Sequence, residues 1–310
     1  MAGITVQRVP KDRPAPGTAA LTRKRSSAES MVREWREVVP DTHVVTIERP
    51  LSHAFYTLAT GIASPLLFTE GARQALAVLS HTAYRVPLAD RLGWDYVHTS
   101  INSERWIRGS RTTVVELRVT HTQVTRRRMG SVYLTALVEG FQDGEPIGTG
   151  EFKYNTHPPA VYNRLRRGRQ DALAAFAQAL PPAPPVPAAQ VDRLDPHDVV
   201  VSATKTPGGY QLRAVTDHEV LFDHPHDHIP GMVLLEAATQ AVQAEGAPVR
   251  LLPVALESTF TRYTELDSPC LLSVIPVDPD GDARPRMRVE ASQNGQQVFS
   301  TDVTCEVLPG

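Results

Sequence analysis

Two apolar helical stretches, one in each half of the chain, carry the same residues in the same order. Thr69-Glu70-Gly71-Ala72-Arg73-Gln74-Ala75 aligns with Leu235-Glu236-Ala237-Ala238-Thr239-Gln240-Ala241, so Glu, Ala, Gln and Ala recur at identical offsets. Such a repeat predicts the same supersecondary unit twice. The surroundings agree. Each half opens on a β-rich run, residues 42–48 in one and 210–215 in the other, then passes through a loop into its helix, at 65–81 and 231–245. Runs of alternating apolar and polar residues follow, at 112–119, 132–138 and 147–154, then at 258–263, 270–276, 286–291 and 297–307. Period two gives each run one core-facing side. The simplest α+β arrangement that buries every face is a long central helix wrapped by a bent antiparallel sheet, twice over.

The boundaries follow from composition. Residues 1–27, rich in Pro, Arg, Lys and Ser, read as a flexible N-terminal arm. Residues 28–178 form the first repeat, whose end, 160–180, is expected to be a helix. Residues 179–190, Ala-Leu-Pro-Pro-Ala-Pro-Pro-Val-Pro-Ala-Ala-Gln, form a stiff proline-rich linker, and 191–310 form the second repeat. A chain of 310 residues with 41% hydrophobic content can fill two cores. A net charge of −2 argues against an electrostatic nucleic-acid binder. No apolar run reaches the roughly 20 residues that span a bilayer, so no membrane partner is expected and the protein is placed in the cytoplasm. Cys270 and Cys305 fit two reduced structural thiols better than a disulfide framework or a zinc pattern.

The densest chemistry lies in Asp223-His224-Pro225-His226-Asp227-His228-Ile229-Pro230-Gly231, just before the second helix. Histidine and aspartate together suggest metal. A zinc site needs converging ligands, however, and Pro225 and Pro230 hold the segment extended, so that successive side chains splay apart. No metal and no cofactor is expected. Pro-Gly suits a helix start, because Pro pre-sets φ and Gly admits a close substrate backbone.

This loop resembles one in the hotdog β-hydroxyacyl-ACP dehydratases, where a His-Pro turn leads through Pro-Gly into a helix bearing Glu and Gln. The loop here is shorter. The whole pattern is similar to the A-factor synthase family of γ-butyrolactone biosynthesis in actinobacteria. The carrying residues are Ser64–Ala75 around Glu70, Leu221–Ala241 around His224 and Glu236, and Ser258–Cys270. The resemblance spans about residues 28–308 and implies a tandem (double) hotdog fold. It implies an acyltransferase that moves a β-ketoacyl group from acyl carrier protein or a CoA thioester to the hydroxyl of dihydroxyacetone phosphate or a related small alcohol.

In hotdog pairs the loop of one unit faces the helix of the other. The resemblance therefore implies His224 facing Glu70, with Glu70 as base and His224 as its partner. A second site would set Glu236 and Gln240 against the first-repeat loop, which carries His53. A Glu near His can serve as a general base. Arg73, with Gln74 beside it, would hold the phosphate as a cation one turn from Glu70. Backbone N–H groups at Gly231 would polarise the thioester carbonyl. The family's second helix reads Glu-Ala-Ala-Arg-Gln, whereas this chain has Thr239 at the Arg position. Arg73 or Arg262 could compensate, or the alcohol could lack a phosphate. Arg126–Arg128 and the arginines of 164–169 read either as solvated edges or as contacts for an acidic carrier. Two other functions stay open. One is hotdog dehydration or thioester hydrolysis; the other is a non-catalytic acyl- or lactone-binding protein. Either a monomer, as an internal pseudo-dimer, or a homodimer is compatible.

Overall fold

The computed structural model describes residues 7–8, 18–110, 112–279 and 281–309. Contacts divide the chain into two units. The first holds residues 1–53, 67–95 and 99–167, and the second holds 54–66, 96–98 and 168–310.

In the first unit the strands are β1 (Gln7–Arg8), β2 (Val32–Val39), β3 (Thr42–Glu48), β4 (Arg91–Ile101), β5 (Val114–Arg126), β6 (Val132–Gln142) and β7 (Glu145–His157). Their order in the sheet is β1-β2-β3-β5-β6-β7-β4, and the register is antiparallel through β7. Val115, Leu117 and Val119 of β5 and Leu134, Ala136 and Val138 of β6 are buried while their neighbours are exposed or half-buried, which is the expected period of two. Breaks in register at His121/Gln123 and Gly140/Phe141 bend the sheet. β6 turns into β7 through Asp143 and Gly144, both at positive φ, as a tight hairpin requires. The helices are α1 (Thr18–Thr22), α2 (Leu66–Thr82), α3 (Ser103–Arg108) and α4 (Pro159–Arg166). From Leu66 to Ser80 every residue of α2 except Arg73 is buried. A helix apolar on all sides must be enclosed, and α2 is therefore the core of its unit.

The second unit repeats the plan. After α5 (Ala172–Ala177) come β8 (Val201–Ala203), β9 (Gly209–Leu212), α6 (Gly231–Gly246), β10 (Leu251–Phe260), β11 (Cys270–Val277), β12 (Arg286–Gln293) and β13 (Gln296–Val307). The order is β10-β13-β12-β11-β9-β8. α6 is buried without a break from Met232 to Gln243. Asn294 and Gly295, again at positive φ, close the β12–β13 hairpin.

Three expectations change. Residues 18–27, assigned to a loose arm, include α1, and Thr22 of α1 is fully buried and bonded to Ser30 Oγ at 3.0 Å; the arm's residues 1–6 and 9–17 lie outside the described residues. The single helix at 160–180 is two. α4 ends where Arg167 and Gly168 take positive φ, and α5 restarts on Asp171, whose carboxylate caps Leu173 and Ala174. β2 and the first half of β4 escaped notice because their sequences, VREWREVV and RLGWDYVHTSI, lack clean alternation. The proline-rich segment carries no regular structure up to Pro187, ends in a single helical turn at Ala188–Val191, and joins its unit through Leu180 N to Leu266 O and Val186 N to Val201 O. No helix among the described residues is long and apolar enough to cross a membrane.

Candidate active site

The repeated Glu and Gln sit at matching points of α2 and α6, and each ties down the segment that enters its unit. In the first unit Gln74 Oε1 accepts from Met31 N at 2.8 Å, and its Nε2 donates to Glu29 O at 2.8 Å and to Glu70 Oε1 at 2.9 Å. In the second, Gln240 Oε1 accepts from Val200 N at 2.8 Å, and its Nε2 donates to Asp198 O at 2.8 Å and to Glu236 Oε1 at 2.6 Å. A buried glutamine used this way satisfies two backbone groups that would otherwise lose their water. The Glu–Gln pair is thus a fixture of the fold in both halves.

Each glutamate also has a cation that the helix sequence does not reveal. Lys24 Nζ lies 3.3 Å from Glu70 Oε1. Arg193 Nη2 lies 2.5 Å from Glu236 Oε1. Lys24 precedes Glu29 by the same spacing as Arg193 precedes Asp198. Those two acids in turn hold a histidine each, Glu29 with His53 at 3.2 Å and Asp198 with His218 at 3.1 Å. His218 is therefore the counterpart of His53, and the run from Asp223 to His228 is an addition confined to the second half.

The two glutamates differ in their surroundings. Arg73 grips Glu70 with Nε on Oε2 and Nη2 on Oε1, both at 2.7 Å, and also donates to Thr22 O. This fork makes Arg73 a counterion of Glu70. Burial pushes the Glu70 carboxyl up, but the charges of Arg73 and Lys24 and the hydrogen bonds of Arg73 and Gln74 outweigh it and hold it well below the usual carboxylate range. A carboxylate so engaged is a weak proton acceptor. At the matching position Thr239 turns its Oγ1 back onto Glu236 O at 2.9 Å. Glu236 Oε2 is left buried without a hydrogen-bond partner among the described residues. Its cation is Arg193, which also donates to Phe55 O and stacks 4.3 Å over the Phe55 ring; Arg262, expected to compensate, is exposed at the end of β10.

The depressed Glu70 pKa has a testable consequence. A carboxylate whose pKa falls on folding stabilises the native state above its ordinary value of 4.5 and loses that contribution as pH drops toward the folded value. Denaturant midpoints for Glu70→Gln are expected to lie well below those of the wild type at pH 7. The gap should narrow at pH 3.

The loop ahead of α6 carries two aspartate–histidine pairs. His224 Nδ1 donates to Asp223 Oδ1 at 2.6 Å, with the histidine side chain 38% exposed and the aspartate 7%. His228 Nδ1 donates to Asp227 Oδ1 at 2.9 Å, and its ring meets Tyr263 edge-on at 4.8 Å. His226 lies between them. Burial first, then the neighbouring His224 and His228, push its pKa down to about 3, so it is neutral at working pH. Ile229 N donates to Thr264 O at 2.8 Å and anchors the loop's end. Pro230 then starts α6 without a side-chain cap, leaving Gly231 at the helix's positive end. A carboxylate on Nδ1 fixes the tautomer with Nε2 unprotonated, and that nitrogen can take a proton. His224 and Glu236 belong to the second unit, and Glu70 to the first.

Comparison with known proteins gives one answer along the length of the chain. The sequence model for the A-factor biosynthesis hotdog domain matches residues 7–158 and 174–309. The 2-oxo-3-(phosphooxy)propyl 3-oxoalkanoate synthase of Streptomyces virginiae is 36% identical over 281 residues, covering 90% of this chain and 94% of that one. The protein of the same name from Streptomyces griseus is 31% identical, covering 88% and 90%. An acyl-ACP thioesterase structure from Bacteroides thetaiotaomicron superposes with a TM-score of 0.51 at 11% identity, covering 86% of this chain and 98% of that one, and so speaks to the hotdog fold alone. Both halves are matched by one domain description, so the chain belongs to the A-factor biosynthesis hotdog domain family.

Proposed function

We propose that the protein transfers a β-ketoacyl group from a thioester, on acyl carrier protein or CoA, to the hydroxyl of dihydroxyacetone phosphate or a closely related small alcohol. The names of the Streptomyces relatives describe the ester such a transfer would make. The observation that carries the reading in this chain is the Asp223–His224 pair, an oriented imidazole at the mouth of α6. His224 Nε2 takes the alcohol proton as the oxygen attacks the thioester carbonyl carbon. The carbonyl oxygen gains charge beside the first-turn N–H groups of α6. The C–S bond then breaks, and the thiolate leaves with the proton returned from His224. Asp223 stabilises the imidazolium between the two transfers. Glu70, saturated with donors, acts as a fixed anion of the fold, and Glu236 keeps one oxygen for the site.

Mass spectrometry of the products from a β-ketoacyl thioester tests this. The ester, or the butenolide it closes to, should appear only when the alcohol is present. Free acid formed equally fast without alcohol would make the protein a thioesterase and sink the proposal. Parallel reactions with dihydroxyacetone and its phosphate show whether Thr239, standing where the family resemblance leads to arginine, has changed the acceptor.

A further inference from the structure

The segment from Asp223 to His226 has a second capacity that the proposed transfer does not use. The backbone bends at Asp223 and His224 and again at Asp227 and His228, so the side chains do not splay as they would from a straight extended segment. His224 and His226 are alternate residues, and their ring centroids lie 4.1 Å apart with the planes 37° from one another. Pro225 between them restricts φ and limits how far the two rings can move apart. Asp223 bends back to His224 Nδ1, and one ligand atom from each of Asp223, His224 and His226 comes within 4.8 Å of the other two. The expectation that successive side chains diverge does not hold for this trio, because the backbone bends at Asp223 and His224.

The donor set is two imidazoles and one carboxylate. Calcium and magnesium need oxygen ligands throughout, so the set does not suit them. Zinc and ions like it are bound by imidazole and carboxylate at about 2.0–2.2 Å, often by three protein ligands with water completing the shell. All three residues are half-buried, which leaves solvent access for an ion and its waters. His226 has no part in the proposed transfer, and its ring meets Phe222 edge-on at 6.2 Å as well as His224.

We propose that Asp223, His224 and His226 bind one divalent ion of the zinc class. An ion held there occupies His224, so on the reading that His224 is the base, it arrests acyl transfer reversibly. The site itself stands on geometry and does not depend on that reading.

Untagged full-length protein, stripped with chelator and desalted, is titrated with zinc chloride in a calorimeter. One ion per chain is expected, and His226→Gln should weaken binding by more than about 10-fold. Cobalt(II) added to the stripped wild type should give the visible absorption of a low-coordinate site with nitrogen ligands, a readout that needs no variant. In chelator, His226→Gln should transfer acyl groups at the wild-type rate. Added zinc should inhibit the wild type and spare the variant. Absence of zinc binding, or equal affinity in the folded variant, overturns the metal site. Binding without inhibition upholds the site and overturns His224 as the base.

Discussion

Replacing His224 with glutamine is expected to lower the rate of ester formation by about 10²–10⁴-fold, the range supplied by a positioned general base. The protein should remain folded, because the side chain is 38% exposed and bonds its sequence neighbour Asp223. The loss should fall on kcat more than on KM, since the imidazole acts on a proton that moves only as the transition state forms. Asp223→Asn makes a finer test. The imidazole would remain but could settle in the wrong tautomer, so the rate should fall and rise again at higher pH less steeply than in the wild type. A His224→Gln variant that transfers the acyl group at the wild-type rate would move the base elsewhere, and His228, with Asp227 on its own Nδ1, would be the next to try.

The second large effect is on stability. Arg193→Met is expected to destabilise the second unit by about 3–5 kcal/mol, the usual cost of removing one member of a buried ion pair. Arg193 and Glu236 are both almost wholly buried. The variant would strand the carboxylate, leave Phe55 O without its donor and remove the guanidinium from the Phe55 ring. Adding Glu236→Gln should recover most of the loss, because an uncharged amide no longer needs the cation. Denaturant midpoints of the two single variants and the double variant measure this coupling directly. Similar midpoints for wild type and Arg193→Met would show that the pair contributes little and that water already reaches Glu236.

The helices were the most legible part of the sequence. α2 and α6 are buried on nearly every side, and a dense apolar run of that length admits few other readings. The alternating strands β5, β6, β11 and β13 were legible for the same reason. β2 was not, since its Arg33, Glu34, Arg36 and Glu37 mask any period of two. The break after α4 could have been read from Gly168, which follows a basic last turn as helix ends often do.

The residues that carry chemistry were legible in the sequence, and their pairings were not. Glu70 and Glu236 stood out because they are charged residues on apolar helices, and that signal is the same for a catalyst and for a buried ion pair. Their cations, Lys24 and Arg193, lie far away in sequence, in segments with little pattern of their own. Only extending the repeat upstream, where Lys24 and Glu29 share the spacing of Arg193 and Asp198, would have found them. The loop from Asp223 to His228 stood out for its run of Asp and His, but its pairing of each aspartate with the next histidine needed coordinates.

Residues 54–66 come from the first half of the sequence and yet complete the second unit, where Phe55 O receives Arg193 and Thr60 bonds Asp192 at 2.8 Å. The seam in the polypeptide and the seam in the fold are therefore different places. A chain severed at the linker would leave its C-terminal portion without a ceiling for Arg193, and supplying the N-terminal portion in trans would be needed to restore it. For the lineage, this exchange makes the duplication hard to undo. Phe55 and Glu236 share Arg193, so a change at Phe55 in the first half of the sequence reaches the buried carboxylate of the second.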